Sequence, residues 1–380
     1  MSANPTYILA GGGTGGHLYP GLAVAQQIQR LQPDARIVFA CSNRDIDRRI
    51  LGDLPYAMVP QPVAPIPRSL AKLPHFVRAY LASARLAKDL IGDLRPAAVL
   101  GLGGFAAGPV VVRAAKAGIR TALLNPDAVP GKANRLLAGR VDAVFTQFAQ
   151  TSQAFPARLA DRIHHVGCPI RTGLTGGGAA QAREFYRLRP DRRTLLVFGG
   201  SLLAESLGLA LEALASDLAS LASAWQVLHV SSSARAGQIE SALASAGVHV
   251  RTLPYCDRMD FAYAAADLVL SRCGAVTVAE LMATAKPAVL MPYPYHKDQH
   301  QRLNAAAMER MGAAAVVDDA KDPAANAAAL RQAMLPLMAN PAALAAMREA
   351  AGSAGKAGAA EAVARFLIAQ EAQPHVGDRT

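Results

Sequence analysis

The sequence predicts an α/β protein of two doubly wound, parallel-sheet domains that face each other across a cleft. Three observations carry this expectation. Apolar, strand-like runs alternate with helix-like runs through both halves; the alternation breaks once, at a glycine cluster; and paired glycines follow strands in each half. Short strands that are apolar throughout belong to a parallel sheet covered on both faces. A chain of 380 residues is also long for a single core.

In order, "TYILA" (6–10) is a strand, followed by the glycine loop "GGGTGGH" and a helix through "GLAVAQQIQRL" (21–31). "ARIVFA" (35–40) is the second strand. "AAVLGLGG" (97–104) runs into a helical "GPVVVRAAKAG" (108–118), and "TALLN" (121–125) and "AVFTQ" (143–147) follow as strands. The break falls at "GCPIRTGLTGGGAAQ" (167–181), whose glycines suit an interdomain linker. Strands then resume at "TLLVFGGS", "WQVLHVS", "HVRTLP", "LVLSRCG", "PAVLMPYP" and "AAAVVDD". The expected domains are 1–168 and 169–354, with a terminal helix near 355–372 folding back onto the first.

Composition narrows the classes. Hydrophobic residues at 52% and charged residues at 18% describe a globular chain. The N-terminus carries no cationic, apolar leader, and the uncharged stretch from Pro96 to Val112 is cut by glycines and Pro109, so no membrane span is expected. Cys41, Cys168, Cys256 and Cys273 lie far apart without metal-ligand spacing, which argues against structural zinc and a disulfide framework. Up to Gly167 there are nineteen Lys/Arg against nine Asp and no Glu, whereas the remainder holds twenty against nineteen. The first half is therefore suited to an anionic partner such as phospholipid or diphosphate. Nucleic acid is excluded as the expected partner: few aromatics interleave with the basic residues and no binding module is recognisable.

Gly11, Gly13 and Gly16 spell G-x-G-x-x-G, open to three readings: dinucleotide fingerprint, phosphate cradle or tight turn. The dinucleotide reading requires an acid closing the second strand, yet "RIVFACSN" ends in Cys41, Ser42 and Asn43. A P-loop would need Gly-Lys-Ser/Thr. Two further loops, "GLGGFAAGP" (101–109) and "FGGSLLA" (198–204), also place glycine pairs after apolar strands. In open α/β sheets ligands bind at such carboxyl ends. "GAVTVAE" (274–280) starts another helix after a strand, and Glu280 there has the acceptors for a ribose diol. Gln301 and His300, in the polar "HKDQHQ", suit sugar hydroxyls. Asp45-Ile46-Asp47 is the only D-x-D and, hemmed by arginines, reads as a solvated surface turn. His75, His164, His165 and His229 read as structural or exposed.

At this point the chain resembles the MurG glycosyltransferase family along nearly its whole length. The matching stretches are "GGTGGHLYPGLAVA" (12–25), "GLGGFAAGP", "VPGKANRLLA" (129–138), "GCPIR" (167–171), "GGS", "CGAVTVAE" (273–280) and "HKDQHQRLNA" (296–305). The resemblance implies the GT-B fold, two Rossmann-like domains facing a cleft. It also implies inverting, metal-independent transfer of N-acetylglucosamine from UDP to an undecaprenyl-diphosphate-linked acceptor at the cytoplasmic face of the inner membrane, without a cofactor. By position it implies that Thr14, Gly15 and Gly16 lie at the donor sugar and that His17 is the candidate general base. Arg171 and Ser201 would approach the diphosphate, and Asp127 would border the donor. Cys256 would offer backbone to the uracil. Ala275, Val276, Thr277, Val278, Ala279 and Glu280 would hold the nucleotide, with Glu280 on the ribose and Gln301 and His300 on the sugar. Gly13, Gly103, Gly104, Phe105, Gly199 and Gly200 would form the acceptor and diphosphate loops.

The chain departs from the family's pattern in places. The family's "HEQN" is Leu124, Asn125, Pro126 and Asp127 here, and Asp127 near a diphosphate would repel it. Leu202 and Leu203 replace a polar residue and a glycine; Phe105, Ala107 and Cys168 stand for the usual Tyr, Ser and Asn. Three outcomes stay open: the standard reaction, another lipid-linked acceptor, or binding without turnover. Finally, residues 67–90 place Leu73, Phe76, Val77, Tyr80, Leu81 and Ala84 at helical spacing among Arg68, Lys72, Arg78, Arg85 and Lys88. Such a stripe is either a helix's core face or a seat on an anionic bilayer surface.

Overall fold

The computed structural model describes residues 4–64, 69–199, 205–295, 298–355 and 358–369. A seven-stranded sheet contains β1 (Thr6–Gly11), β2 (Arg36–Ser42), β3 (Ala57–Gln61), β4 (Ala98–Gly103), β5 (Arg120–Asn125), β6 (Ala143–Thr146) and β7 (Ile163–His165). A six-stranded sheet contains β8 (Arg193–Phe198), β9 (Trp225–Val230), β10 (Val250–Leu253), β11 (Leu268–Ser271), β12 (Ala288–Leu290) and β13 (Ala314–Val316). Their orders are β3-β2-β1-β4-β5-β6-β7 and β10-β9-β8-β11-β12-β13. Every pairing is parallel. Both sheets thus reverse direction beside their first strand, β1/β4 and β8/β11, and loops leaving those strands diverge to leave a crevice.

The apolar strands are explained by cores on both faces. On one side of the first sheet lie Leu9, Phe39 and Leu100; on the other lie Ile8, Val38 and Val99, with Ile8 between Val38 and Val99 in register. The second sheet repeats this, Leu196 and Val269 facing one way, Val197 and Leu270 the other. Each such aliphatic side chain contributes about 1.5–3 kcal/mol by leaving water, so neither face tolerates polar alternation.

Two strands went unread as full elements. β3 contains Pro60, which lacks a ladder donor, and it survives because it is an edge strand paired only with β2. β7 closes the other edge as a three-residue strand ending in His164 and His165. The last helix, Ala359–Ile368, puts Val363, Ala364 and Leu367 into the first sheet's core. Phe366 meets Phe145 edge-on at 5.4 Å, and its carbonyl accepts a hydrogen bond from Arg120.

The helix Leu73–Leu94 differs in burial along its length. Ser83, Ala87 and Ile91 face the sheet, and the Ser83 hydroxyl donates to buried Gln61. Leu73, Val77, Tyr80 and Leu81, in the first turns, are 43–51% exposed. Arg68 lies outside the described residues. No helix among the described residues is long and apolar enough to cross a membrane.

Candidate active site between the lobes

The first glycine loop is shaped by two side chains, one on each side. Gly13 sits at φ +83°, a conformation glycine adopts without strain. Its N–H donates to Asp47 Oδ1 at 2.7 Å, and the other Asp47 oxygen accepts from the Ser42 N–H and hydroxyl at 2.8 and 2.7 Å. Asp47 is fully buried. This corrects the solvated-turn reading of the D-x-D: only Asp45 is exposed, while helix Asp45–Leu51 turns Asp47 under the loop.

On the other side stands His17, in the first turn of helix Gly15–Leu31. Its Nδ1 lies 3.0 Å from the Gly12 carbonyl and 3.3 Å from the Thr14 hydroxyl. A carbonyl only accepts, so Nδ1 carries the proton and Nε2 keeps the basic lone pair. The ring packs on Gly103 and Gly104 at the end of β4: a Cβ at Gly103 would lie 3.1 Å from Nε2, and one at Gly104 3.3 Å from Nδ1. Both glycines also have positive φ, 101° and 74°. Two loops of the first sheet therefore hold one imidazole, and Phe105, next in the chain, is 46% exposed.

The second lobe contributes a buried ion pair. Glu280, on helix Ala275–Ala283, is 4% exposed. Its Oε1 accepts from Arg171 Nη2 at 3.0 Å and Nε at 3.3 Å, and its Oε2 accepts from the Tyr263 hydroxyl at 3.0 Å. Burial opposes the Arg171 charge, but Glu280, together with Tyr19 and Tyr263, outweighs it, and the guanidinium's pKa is raised. Burial, then the Glu280 charge, pushes the Tyr263 hydroxyl well above the ordinary tyrosine range, so it donates. Arg171 is thus paired to Glu280, not set apart, and a ribose reaching Glu280 meets a carboxylate already engaged on both oxygens.

Around this pair, Val276 and Thr277 are partly exposed at the helix start, whereas Val278 is fully buried in the core. Gln301 Oε1 accepts from the Cys273 and Tyr293 N–H groups at 3.2 and 2.9 Å, tying the ends of β11 and β12. That orientation leaves its Nε2 as the donor it can offer. His300 Nδ1 meets Asp298 at 2.8 Å. The Cys256 thiol, raised in pKa mainly by burial, meets the Tyr186 hydroxyl at 3.2 Å. Ser201, Gly200, Leu202, Leu203, His296 and Lys297 lie outside the described residues; Gly199 is buried at the end of β8.

Asp127 is held differently from the expectation. It accepts from Asn304 Nδ2 at 2.9 Å, and Asn304 Oδ1 accepts from the Ala128 N–H at 2.8 Å. The same Nδ2 reaches the Cys273 carbonyl at 3.1 Å. Its charge is therefore met by an amide donor from the opposite lobe. Leu124 is core, and Asn125 donates to the Asp127 carbonyl at 2.7 Å, so the departures at 124–127 are locally satisfied.

The two halves of the site meet through aromatic rings. Tyr19, two residues after His17, places its ring 4.6 Å from the Arg171 guanidinium and its hydroxyl 2.9 Å from that of Tyr255. Arg49 covers the Tyr255 ring at 3.8 Å, and Thr172 donates to Gln26 at 2.8 Å. His17 and Glu280 accordingly border one interlobe contact. Sequence reading missed Asp47, Tyr19, Tyr255, Tyr263 and Asn304. Asn304 and Tyr19 stood inside quoted motifs, but nothing in their spacing disclosed partners some 177 and 236 residues away.

In the second lobe, buried Arg272 donates to the Met291 and Pro292 carbonyls, to Ser206 and to Asp319. Burial alone would raise the Asp319 carboxyl; hydrogen bonds from Asn326 and Arg272 outweigh it and hold it below the usual range. Among the described residues no group of three or more His, Cys, Asp or Glu could hold a metal ion.

The glycosyltransferase family 28 N-terminal domain matches residues 7–146 and the family's C-terminal domain matches residues 194–363. The UDP-N-acetylglucosamine–N-acetylmuramyl-(pentapeptide) pyrophosphoryl-undecaprenol N-acetylglucosamine transferase of Halothermothrix orenii is 34% identical, over 83% of this chain and 86% of its own length. That of a Geobacter species (strain M21) is 32% identical over 95% of both chains. Among solved structures, MurG of Acinetobacter baumannii superposes with a TM-score of 0.73 at 26% identity, over 96% of this chain and 99% of that one. Two doubly wound lobes, a histidine on one and a carboxylate–arginine pair on the other, and relatives matched end to end place this chain in glycosyltransferase family 28, as a member of the MurG family.

Proposed function

We propose that this chain transfers N-acetylglucosamine, with inversion, from UDP-N-acetylglucosamine to undecaprenyl-diphosphate-linked N-acetylmuramyl-pentapeptide, the lipid I to lipid II step of peptidoglycan synthesis. The observation that carries the reading is the meeting of the His17 loop and the Arg171–Glu280 pair at one interlobe contact, through Tyr19. In the proposed reaction the acceptor hydroxyl attacks the anomeric carbon as the bond to the diphosphate breaks, and its proton passes to His17 Nε2. An imidazole nitrogen with an open lone pair is a group that can take up that proton. The charge developing on UDP falls to Arg171, Ser201 and the first-turn amides of helix Ala275–Ala283, whose N–H groups have no intrahelical partners.

Residues 169–354 are assigned to the donor and 1–168, completed by the terminal helix, to the acceptor. Glu280 reads the ribose, Cys256 offers backbone to the uracil, and Gln301 with His300 reads the sugar. Gly13, Gly103 and Gly104 admit the acceptor diphosphate against backbone. The exposed Leu73, Val77 and Leu81 line an open cavity of about 610 Å³ with Pro74, Arg78, Ala82 and Arg85, and Tyr80 on the same helix is exposed as well. We assign this face to the anionic, cytoplasmic surface of the inner membrane, where a polyprenyl substrate resides.

The test is incubation of purified protein with labelled UDP-N-acetylglucosamine and a soluble lipid I analogue. Label in the disaccharide product supports the proposal. Binding or hydrolysis of the donor without transfer removes it.

A further inference from the structure

We infer that Asn304 is a positioning residue for transfer: it pins the loop after β5 to the second lobe and so fixes where the sugar held at Gln301 stands relative to His17. The inference rests on the proposed reaction and deepens it. Asn304 is fully buried on helix His300–Arg310, between β12 and β13 of the six-stranded sheet. Its partners lie on both lobes. One amide N–H donates to Asp127 Oδ1 at 2.9 Å and the other to the Cys273 carbonyl at 3.1 Å, while Oδ1 accepts from the Ala128 N–H at 2.8 Å. The carboxamide thus has both donors and its acceptor engaged.

Ala128 is docked through all of its groups. Its N–H is taken by Asn304, its carbonyl by the Thr151 hydroxyl at 3.1 Å, and its side chain joins the second lobe's apolar core. Just after β5, a piece of the first lobe is therefore held as part of the second. On the second lobe, Asn304 stands one turn from Gln301 on the same helix, and both hold one residue. Gln301 Oε1 accepts from the Cys273 N–H, and Asn304 donates to the Cys273 carbonyl. The fixed point between the lobes and the proposed reader of the sugar thus share one turn of helix. Transfer needs the sugar and His17, carried on separate lobes, at near-attack distance, and small displacements there cost much of the rate. A UDP held by the second lobe alone does not depend on that spacing.

The test measures kcat for transfer to a soluble lipid I analogue and the Kd for UDP on the full chain, with thermal unfolding as the control for folding. It compares wild type, Asn304→Asp, and Asn304→Asp combined with Asp127→Asn. Asn304→Asp sets two carboxylates against each other, and kcat is expected to fall by about ten-fold or more. Adding Asp127→Asn restores an amide opposite a carboxylate, with donor and acceptor exchanged, and is expected to recover about three-fold or more of that loss. Both variants carry the same change beside Cys273, so its effect on the UDP site is common to them. Their Kd values for UDP are expected to agree within about two-fold. Recovery confined to kcat reports the contact between the lobes, which a role inside one lobe would not give. Should Asn304→Asp fail to fold, Asp127→Ala breaks the same contact from its half-buried side and is expected to lose about ten-fold in kcat. If the wild type transfers and the folded variants keep its kcat, or if Asp127→Asn recovers nothing or recovers the Kd for UDP instead, the pin is overturned while the proposed reaction stands. If the wild type transfers nothing, the proposed reaction falls, and the pin with it.

Discussion

His229 is a histidine whose titration the fold disturbs. It lies inside β9, fully buried, and neither ring nitrogen has a hydrogen-bond partner among the described residues. Burial lowers its pKa from 6.5 to about 4. The unfolded chain therefore binds a proton between about pH 6.5 and 4 that the folded chain refuses. Stability falls as pH drops through that window, by roughly 3 kcal/mol at its foot. His229→Phe is expected to flatten this part of the stability profile, checked by urea midpoints from pH 4 to 7. Asp47 is the opposite case, a buried carboxylate with three donors. Asp47→Asn turns an acceptor into a donor facing N–H groups and is expected to cost about 1–3 kcal/mol. Transfer should fall with it, because the Gly13 turn loosens beside His17.

These two residues show what the sequence disclosed and what it withheld. His17 and Glu280 were legible because each follows a strand–glycine–helix signature, and local spacing suffices to place them. Asp47 was not: Arg44, Asp45, Arg48 and Arg49 surround it in the sequence, and only the fold takes it out of water. Tyr263 and Asn304 act on groups brought near by the tertiary fold alone, which no periodicity encodes.

At the scale of elements, the loops after β11, β12 and β13 act as one body because Arg272 joins them. Its carboxylate partner Asp319 is 2.7 Å away and both are buried. Asp319→Ala strands a buried guanidinium and is expected to destabilise the protein by about 3–5 kcal/mol, measured by urea unfolding. Its replacement together with Arg272 by apolar residues should recover much of this. The glycine loop after β4 makes a second element-scale test. Gly103→Ala puts a methyl group within 3.1 Å of His17 Nε2 at a φ that L-residues rarely adopt. Loss of turnover with donor binding intact is expected, read from kcat against the Kd of UDP. Most strands were readable as apolar runs; β3 escaped because Pro60 marks a non-strand everywhere except at a sheet edge.

For the whole molecule, the charge asymmetry of the sequence and the outward face of helix Leu73–Leu94 point the same way. Leu81→Glu, on that face, is expected to weaken binding to phosphatidylglycerol vesicles, measured by co-sedimentation, while leaving UDP affinity unchanged. Added salt should weaken wild-type binding as well, since the cations beside the apolar residues are exposed and screened. Among the described residues the lobes meet through the Asn304–Asp127, Tyr19–Tyr255 and Thr172–Gln26 hydrogen bonds, through Arg171 and Arg49 over the Tyr19 and Tyr255 rings, and through Ala128 and Phe148, which join the second lobe's apolar core.

The most direct test of the central claim separates binding from chemistry in His17→Ala. With a lipid I analogue as acceptor, kcat is expected to fall by about 100-fold or more, the usual worth of a general base. The Kd for UDP-N-acetylglucosamine should stay within about two-fold of wild type, because the proposed donor contacts lie mainly on the other lobe. A variant that turns over at the wild-type rate would contradict the account.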